Sequence, residues 1–347
     1  MNHPMQQTLC IFSVFLVGLL SSSAIAQETA AKAVAEAEQS GDAKIKVLIV
    51  DGQNNHTSWP KTTIMMKQCL EATGKFTVDV ARTATTWRGE LASEFPLDDG
   101  KEYKNLKKAE TDPKFNPDFS AYHVVLSNFG SGAAPWPDET KANFEKYMAE
   151  GGGLVVVHAA DNSWADWKEF NQMIGLGGWG GRTEANGPYV YLNDEGKEIR
   201  DNQKGNGGDH GPQHEFQVIA RNTEHPIMAG LPKAWLHSKD ELYQKLRGPA
   251  ENMTILATAY SDKKYKKGTG RHEPMIMVLD YKEGRVFHTP MGHADYSMAC
   301  VGYQTVLLRG TEWAATGKVT LTEVPENFPT DKVPSKNEFK LKAAKAK

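Results

Sequence analysis

Between residues 44 and 174, short apolar runs alternate with amphipathic stretches. "KIKVLIVDG" (44–52) has the pattern of a strand buried on both faces, and it runs into the polar loop "DGQNNHTSWP". Pro60 then suits the first turn of a helix through about Ala72, with Met65, Met66, Cys69 and Leu70 on its inner side. "FTVDVAR" (76–82) alternates as a second strand and "AYHVVLSNFG" (121–130) supplies a third. Residues 88–120 between them are charged and proline-bearing, without periodicity, and read as a long surface excursion. Pro137, Asp138 and Glu139 favour a helix start, Phe144, Tyr147 and Met148 give it an apolar face, and glycines end it. "GGGLVVVHAADNSW" (151–164) is then a fourth strand that stops at His158, with a helix expected near residues 164–174.

This βαβ rhythm predicts a flavodoxin-like α/β fold, a doubly wound, mostly parallel sheet covered on both faces. A Gly-rich insertion, residues 175–213, interrupts it and carries one hairpin, "YVYL-NDEG-KEIR". Four more strands are expected near 214–220, 253–260, 274–280 and 285–290, and a last helix in "VGYQTVLLRGTEWAAT". With no internal repeat, residues 44–320 read as one domain and 321–347 as an extended tail whose basic end, "KLKAAKAK", is solvated.

The two ends of the chain and its composition narrow the setting. "LCIFSVFLVGLL" followed by the small-x-small site Ala24-Ile25-Ala26 reads as a signal peptide over residues 1–26, and the Ala/Glu-rich residues 27–43 as a linker. The expectation is a periplasmic or secreted protein, with no membrane insertion after cleavage. Intact-mass measurement on protein from its native host should show chains beginning at Gln27. Cleavage leaves Cys69 and Cys300, too few for a disulfide scaffold, and about 320 residues, enough for a large core. A net charge of −3 gives no basic field for a nucleic-acid partner. Oligomeric state is left open.

"DGQNNHTSW", "GGGLVVVHAA", "TEHPIMAGLP" with "DELY", and "GRVFHTPMGHADYS" resemble, in this order, the trehalose utilisation (ThuA-like) family over about residues 44–315. The resemblance implies a class I glutamine amidotransferase-like fold. It also implies work on oxidised disaccharides and glycosides, in pathways that introduce a 3-keto group. In the amidotransferases, the strand after the "GG" loop ends in a nucleophilic cysteine on a sharp turn. Here the turn carries His158, Ala159 and Ala160, so a thioester mechanism is not expected.

The candidate chemistry lies in loops at strand carboxyl ends, which share one face of a parallel sheet. His56 follows the first strand, His158 ends the fourth and His293 follows the last, so the three are expected to converge as catalytic residues. Two readings stand beside each other: a site for one divalent metal ion, with His56, His158 and His293 as ligands, or metal-free acid/base work next to a sugar carbonyl. Asn55, Trp59, Asn128, Trp164, Trp179, Asp295 and Glu241 are the candidate substrate-binding residues, because aromatic faces stack on sugars and polar neighbours bind hydroxyls. Asp240 and Glu241 could also cap, bind metal or orient a histidine, with orienting or structural roles favoured, and His210 with Asp209 lies on a loop able to fold back as a lid. The expected partner is a carbohydrate and the expected reaction a lyase, hydrolase or isomerase step. The alternative is a non-catalytic carbohydrate-binding protein using the same cleft.

Overall fold

The computed structural model describes Met1 and residues 44–339. The signal and linker readings (apart from Met1) and the basic end of the tail fall outside the described residues. In the first half the strands are β1 (Ile45–Gln53), β2 (Phe76–Trp87), β3 (Lys104–Leu106), β4 (Val124–Ser127) and β5 (Gly153–Val157). The second half adds β6 (Tyr189–Leu192), β7 (Glu198–Asp201), β8 (Asp209–His210), β9 (His214–Ala220), β10 (Ala234–Asp240) and β11 (Tyr243–Gln244). It ends with β12 (Met253–Tyr260), β13 (His272–Tyr281) and β14 (Gly284–Thr289). The helices are α1 (Trp59–Glu71), α2 (Asp138–Ala149), α3 (Lys168–Ile174), α4 (Asp295–Met298) and α5 (Val301–Thr316).

Twelve strands form one sheet, in the order β10-β9-β12-β13-β14-β5-β4-β1-β2-β3, with the β6–β7 hairpin joined through β13. The run from β14 to β3 is parallel throughout. Beyond β14 each strand reverses its neighbour, so β10 again points the same way as β1, β4 and β5. The Gly-rich insertion therefore joins the main sheet through its hairpin, and β8 forms a separate two-stranded ribbon with β11.

The continuous apolar runs arise because β1, β4 and β5 are covered on both sides. Val47, Ile49, Val155 and Val157 pack on α1 and α5 residues such as Met66, Leu70 and Val306. Leu48, Val50, Leu154 and Val156 pack on the other face, against Phe144 and Met148 of α2 and Phe170 and Met173 of α3. Burying each such side chain is worth roughly 1.5–3 kcal/mol, so a register slip that moved these rows would be costly.

Two elements differ from expectation, and the extended tail is tied to the domain. The helix after β5 starts only at Lys168, because Trp164 takes a left-handed φ of 44° that breaks helical continuity. The excursion at 88–120 contributes β3 and anchors itself with buried Phe115 and Phe119. The tail is held over residues 321–336: Arg309 donates to the carbonyls of Leu321 and Thr322, and the Val301 N–H donates to Ser335. Among the described residues, no helix is long and apolar enough to cross a membrane.

Glu273, near the start of β13, is buried, with the Thr269 hydroxyl and the Lys245 N–H as donors. Burial pushes its carboxyl up from 4.5 to about 7. A raised folded-state pKa means its share of stability is complete below pH 4.5 and is lost as pH rises through about 7. Melting temperatures of wild type and Glu273→Gln, taken at pH 5 and pH 8, should show the wild type falling behind by several degrees at the higher pH. Parallel curves for the two proteins would refute this.

Candidate active site

The sheet order reverses between β1 and β4, since β2 lies on one side of β1 and β4 and β5 on the other. A crevice opens at the carboxyl ends of strands at such a switch point. Asn54, just past β1, ties the two loops together by donating from Nδ2 to the carbonyls of Asn128 and Phe129. Those bonds turn Asn54 Oδ1 towards His56, where it accepts from the backbone N–H at 2.9 Å and faces ring Nδ1 at 3.1 Å. Nδ1 therefore carries the hydrogen, and the lone pair of Nε2 is left free.

His158 sits at the elbow where β5 passes into a 3-10 turn, with φ at +46°. A left-handed non-glycine residue costs roughly 1–3 kcal/mol and persists only where its surroundings impose it. His158 is 4% exposed, and its Nδ1–H donates to the Pro290 carbonyl at 2.8 Å. Nε2 is thereby the acceptor, and the Tyr243 hydroxyl donates to it at 2.9 Å.

His293 follows Gly292, whose φ of +106° and tight contact leave no room for a side chain: a Cβ would lie 2.9 Å from the Tyr303 hydroxyl. Asp240 holds this turn. Its carboxylate accepts from the backbone N–H groups of Gly292, His293 and Glu241, and pairs with His237 Nε2 at 2.8 Å. Burial opposes the charge on Asp240, but His237 and these donors outweigh it and hold the carboxyl down at about 2. On its other side His237 faces Cys300. Burial disfavours the thiolate there, yet the neighbouring charge of His237 pulls the thiol down to about 6.

Because β10 ends on the same sheet edge as β1, β5 and β14, the residue after it reaches the crevice. Glu241 Oε2 lies 3.1 Å from His293 Nδ1 and 3.6 Å from His158 Nε2. His293 Nδ1 is 3.3 Å from His158 Nε2. Ring centroids of the three histidines are 4.7, 4.9 and 5.2 Å apart. One donor atom from each of His56, His158, Glu241 and His293 lies within 4.8 Å of all the others, so these four could hold a metal ion. Burial, then the neighbouring histidines, press His56 down to about 3. His158 is lowered chiefly by burial. His293 is raised, its burial outweighed by the hydrogen bond and charge of Glu241, which itself falls to about 2. Near neutral pH the cluster thus has one carboxylate, two neutral imidazoles and one imidazole that attracts a proton. It can polarise a carbonyl and accept a proton beside it.

Residues 46–314 match the family model described as ThuA, trehalose utilisation. The chain belongs to this family. A solved ThuA-like protein from Parabacteroides merdae is 42% identical, with a TM-score of 0.74, covering 85% of this chain and 98% of that one. A second, from Bacteroides uniformis, is 19% identical with a TM-score of 0.48, covering 81% and 95%. The glutaminase domain of Trypanosoma brucei CTPS with bound acivicin is 9% identical with a TM-score of 0.38, covering 84% and 100%. No curated protein matches the chain.

In this ThuA chain the three predicted histidines meet Glu241, and Trp59 and Asn128 line the same cleft. Trp59 is a fixed wall, 1% exposed, with its indole N–H on the Trp87 carbonyl and the Arg82 guanidinium 4.7 Å from its ring. Asn128 braces α1 by donating to Trp59, Thr62 and Thr63. Four expected substrate contacts are placed otherwise. Asn55 Oδ1 accepts from the Ser131 N–H and so pins a loop. Trp164 is buried in the core among Phe129, Trp136, Trp167 and Phe170, and its indole N–H donates to the Ala134 carbonyl. Asp295 forms an ion pair with Lys61 of α1. Trp179, with φ at +49°, is half-buried 4.8 Å from the Tyr243 ring and 5.9 Å from the His210 ring, and it reaches the cluster through these two side chains. Tyr243 and His237 were not singled out from the sequence. The motif "DELY" was the signal for the first, while "WLHSKD" hides the second in a polar-looking strand. His210 does fold back, on the β8–β11 ribbon, to 3.8 Å from Glu241.

Proposed function

We propose that this ThuA-family chain is an enzyme acting on an oxidised sugar or glycoside, at a carbon next to a ring carbonyl. The observation that carries the reading is the convergence of His56, His158, His293 and Glu241 in the switch-point crevice. A ketone acidifies the neighbouring C–H, and elimination or isomerisation there needs a group that stabilises charge on the carbonyl oxygen and an imidazole that takes the proton. The cluster contains both kinds of group within one small volume, and its central residue is held in a strained conformation of the sort that concentrates at working sites. Family membership in trehalose utilisation supports a sugar substrate, and the signal-like residues 1–26 support work in the periplasm or outside the cell.

The test is incubation of purified protein with 3-keto-glucosides and 3-keto-trehalose, with the unoxidised parents as controls. Product is expected by mass spectrometry from the keto compounds alone. Saturable sugar binding without product would favour the non-catalytic carbohydrate-binding alternative.

A further inference from the structure

We infer that His56 Nε2, His158 Nε2, His293 Nδ1 and Glu241 Oε2 form a binding site for a single divalent first-row transition-metal ion. The inference rests on the reading of these residues as the working centre and deepens it, because a metal ion supplies the polarising charge.

The argument begins with the fixed tautomers. Asn54 Oδ1 is turned to His56 by its own amide donors, and the Pro290 carbonyl can only accept. Both rings therefore spend their Nδ1 hydrogens on the outer side and aim Nε2 lone pairs inwards. This is how metal-bound imidazoles are held: an outer acceptor sets the tautomer and raises the basicity of the inner nitrogen. His293 Nδ1 points at two acceptors at once, Glu241 Oε2 at 3.1 Å and His158 Nε2 at 3.3 Å. One proton on Nδ1 can serve only one of them well, whereas a cation at the centre serves every lone pair.

The spacing agrees. Bonds of about 2.1 Å set adjacent donors roughly 3.0–3.4 Å apart in octahedral or tetrahedral coordination. The three edges among His158, His293 and Glu241 are 3.1, 3.3 and 3.6 Å. His56 closes the set with its ligand atom inside the 4.8 Å limit, a contraction of about an ångström from a bonded pair. Three imidazoles with one carboxylate suit zinc, manganese, iron, cobalt or nickel, and do not suit calcium or magnesium, which take oxygen ligands. Tyr243, now donating to His158 Nε2, would release that lone pair to the ion and stay beside it as a hydrogen-bond donor to a bound oxygen.

The experiment uses the mature chain made without a polyhistidine tag, stripped with chelator and dialysed against Zn2+, Mn2+ or Co2+. Metal content by mass spectrometry and the visible spectrum of the cobalt form are the readouts, for wild type, His56→Gln and Glu241→Gln, each checked for folding by circular dichroism. Wild type should hold about one ion, and each variant should bind at least about a hundredfold more weakly. His56 and Glu241 lie on different loops, so loss in both folded variants reports the shared centre. Folded wild type that takes up no ion overturns the inference, as does undiminished binding in both variants. A keto-sugar turnover that persists in chelator overturns the metal site and leaves the enzyme reading standing. A stoichiometric ion with no turnover on any oxidised sugar leaves the metal site and removes the proposed function.

Discussion

His158→Ala is expected to lower turnover of an oxidised sugar by at least about 10³-fold while changing sugar affinity only a few-fold. His158 stands at the centre of the cluster, within 3.6 Å of Tyr243, His293 and Glu241. Its removal takes away the central Nε2 lone pair of the cluster, which would serve the proposed ion or the proposed proton path. The cleft walls, Trp59 and Asn128, are braced by other residues and should stay in position. Alanine also relaxes the strained elbow only in part, because the left-handed φ remains costly for any residue with a Cβ. The measurement is a pair of values, kcat and a binding constant, on wild type and variant, with Trp164→Phe as a folded control outside the cleft. A kcat within tenfold of wild type would remove His158 from the mechanism.

The second large effect is expected at Asp240. Asp240→Ala should cost about 3–5 kcal/mol, the range for breaking a buried pair and leaving its partner uncompensated. Four donors lose their acceptor together: His237 Nε2–H and the N–H groups of Glu241, Gly292 and His293. Asparagine is not a conservative replacement here. Each carboxylate oxygen accepts from two donors, so an amide nitrogen at either position would point its hydrogens at N–H groups. Asp240→Asn should therefore lose most of what alanine loses. The carboxyl is lowered from 3.8 to about 2, so its contribution is present above pH 3.8 and disappears as pH falls through about 2. Urea denaturation of the three proteins at pH 7 checks the ranking. A cost below about 1 kcal/mol for the asparagine variant would mean that the turn at His293 is held by something else.

Much of the first half was legible because a strand covered on both faces has to be apolar at successive positions. "VLIV" in β1 and "LVVV" in β5 are such runs, and the end of each marks where chemistry-bearing side chains leave the core. The second half was less legible. β10 went unread because His237, Ser238 and Asp240 are polar yet buried, so alternation by hydrophobicity fails where burial is satisfied by hydrogen bonds or ion pairs. Cys300 likewise shows nothing unusual in the sequence, and the approach of His237 from β10 is the main influence that lowers its pKa against burial.

The sequence by itself determined the parallel frame, the family, and the three histidines at strand ends, since all of these follow from local pattern and motif order. The tertiary structure alone decided which acid joined them. Glu241 and Tyr243 enter the crevice because β13, β12, β9 and β10 reverse direction one after another, and that brings the end of β10 to the carboxyl edge of β5. A strand's own residues specify which of its faces is buried, but its direction is set by the connections and neighbours that pair with it. The tryptophans divide for a related reason. An indole fills a core and lines a cleft equally well, and only the packing of α3 and the elbow at Trp164 sent that ring inwards while Trp59 became a wall of the site.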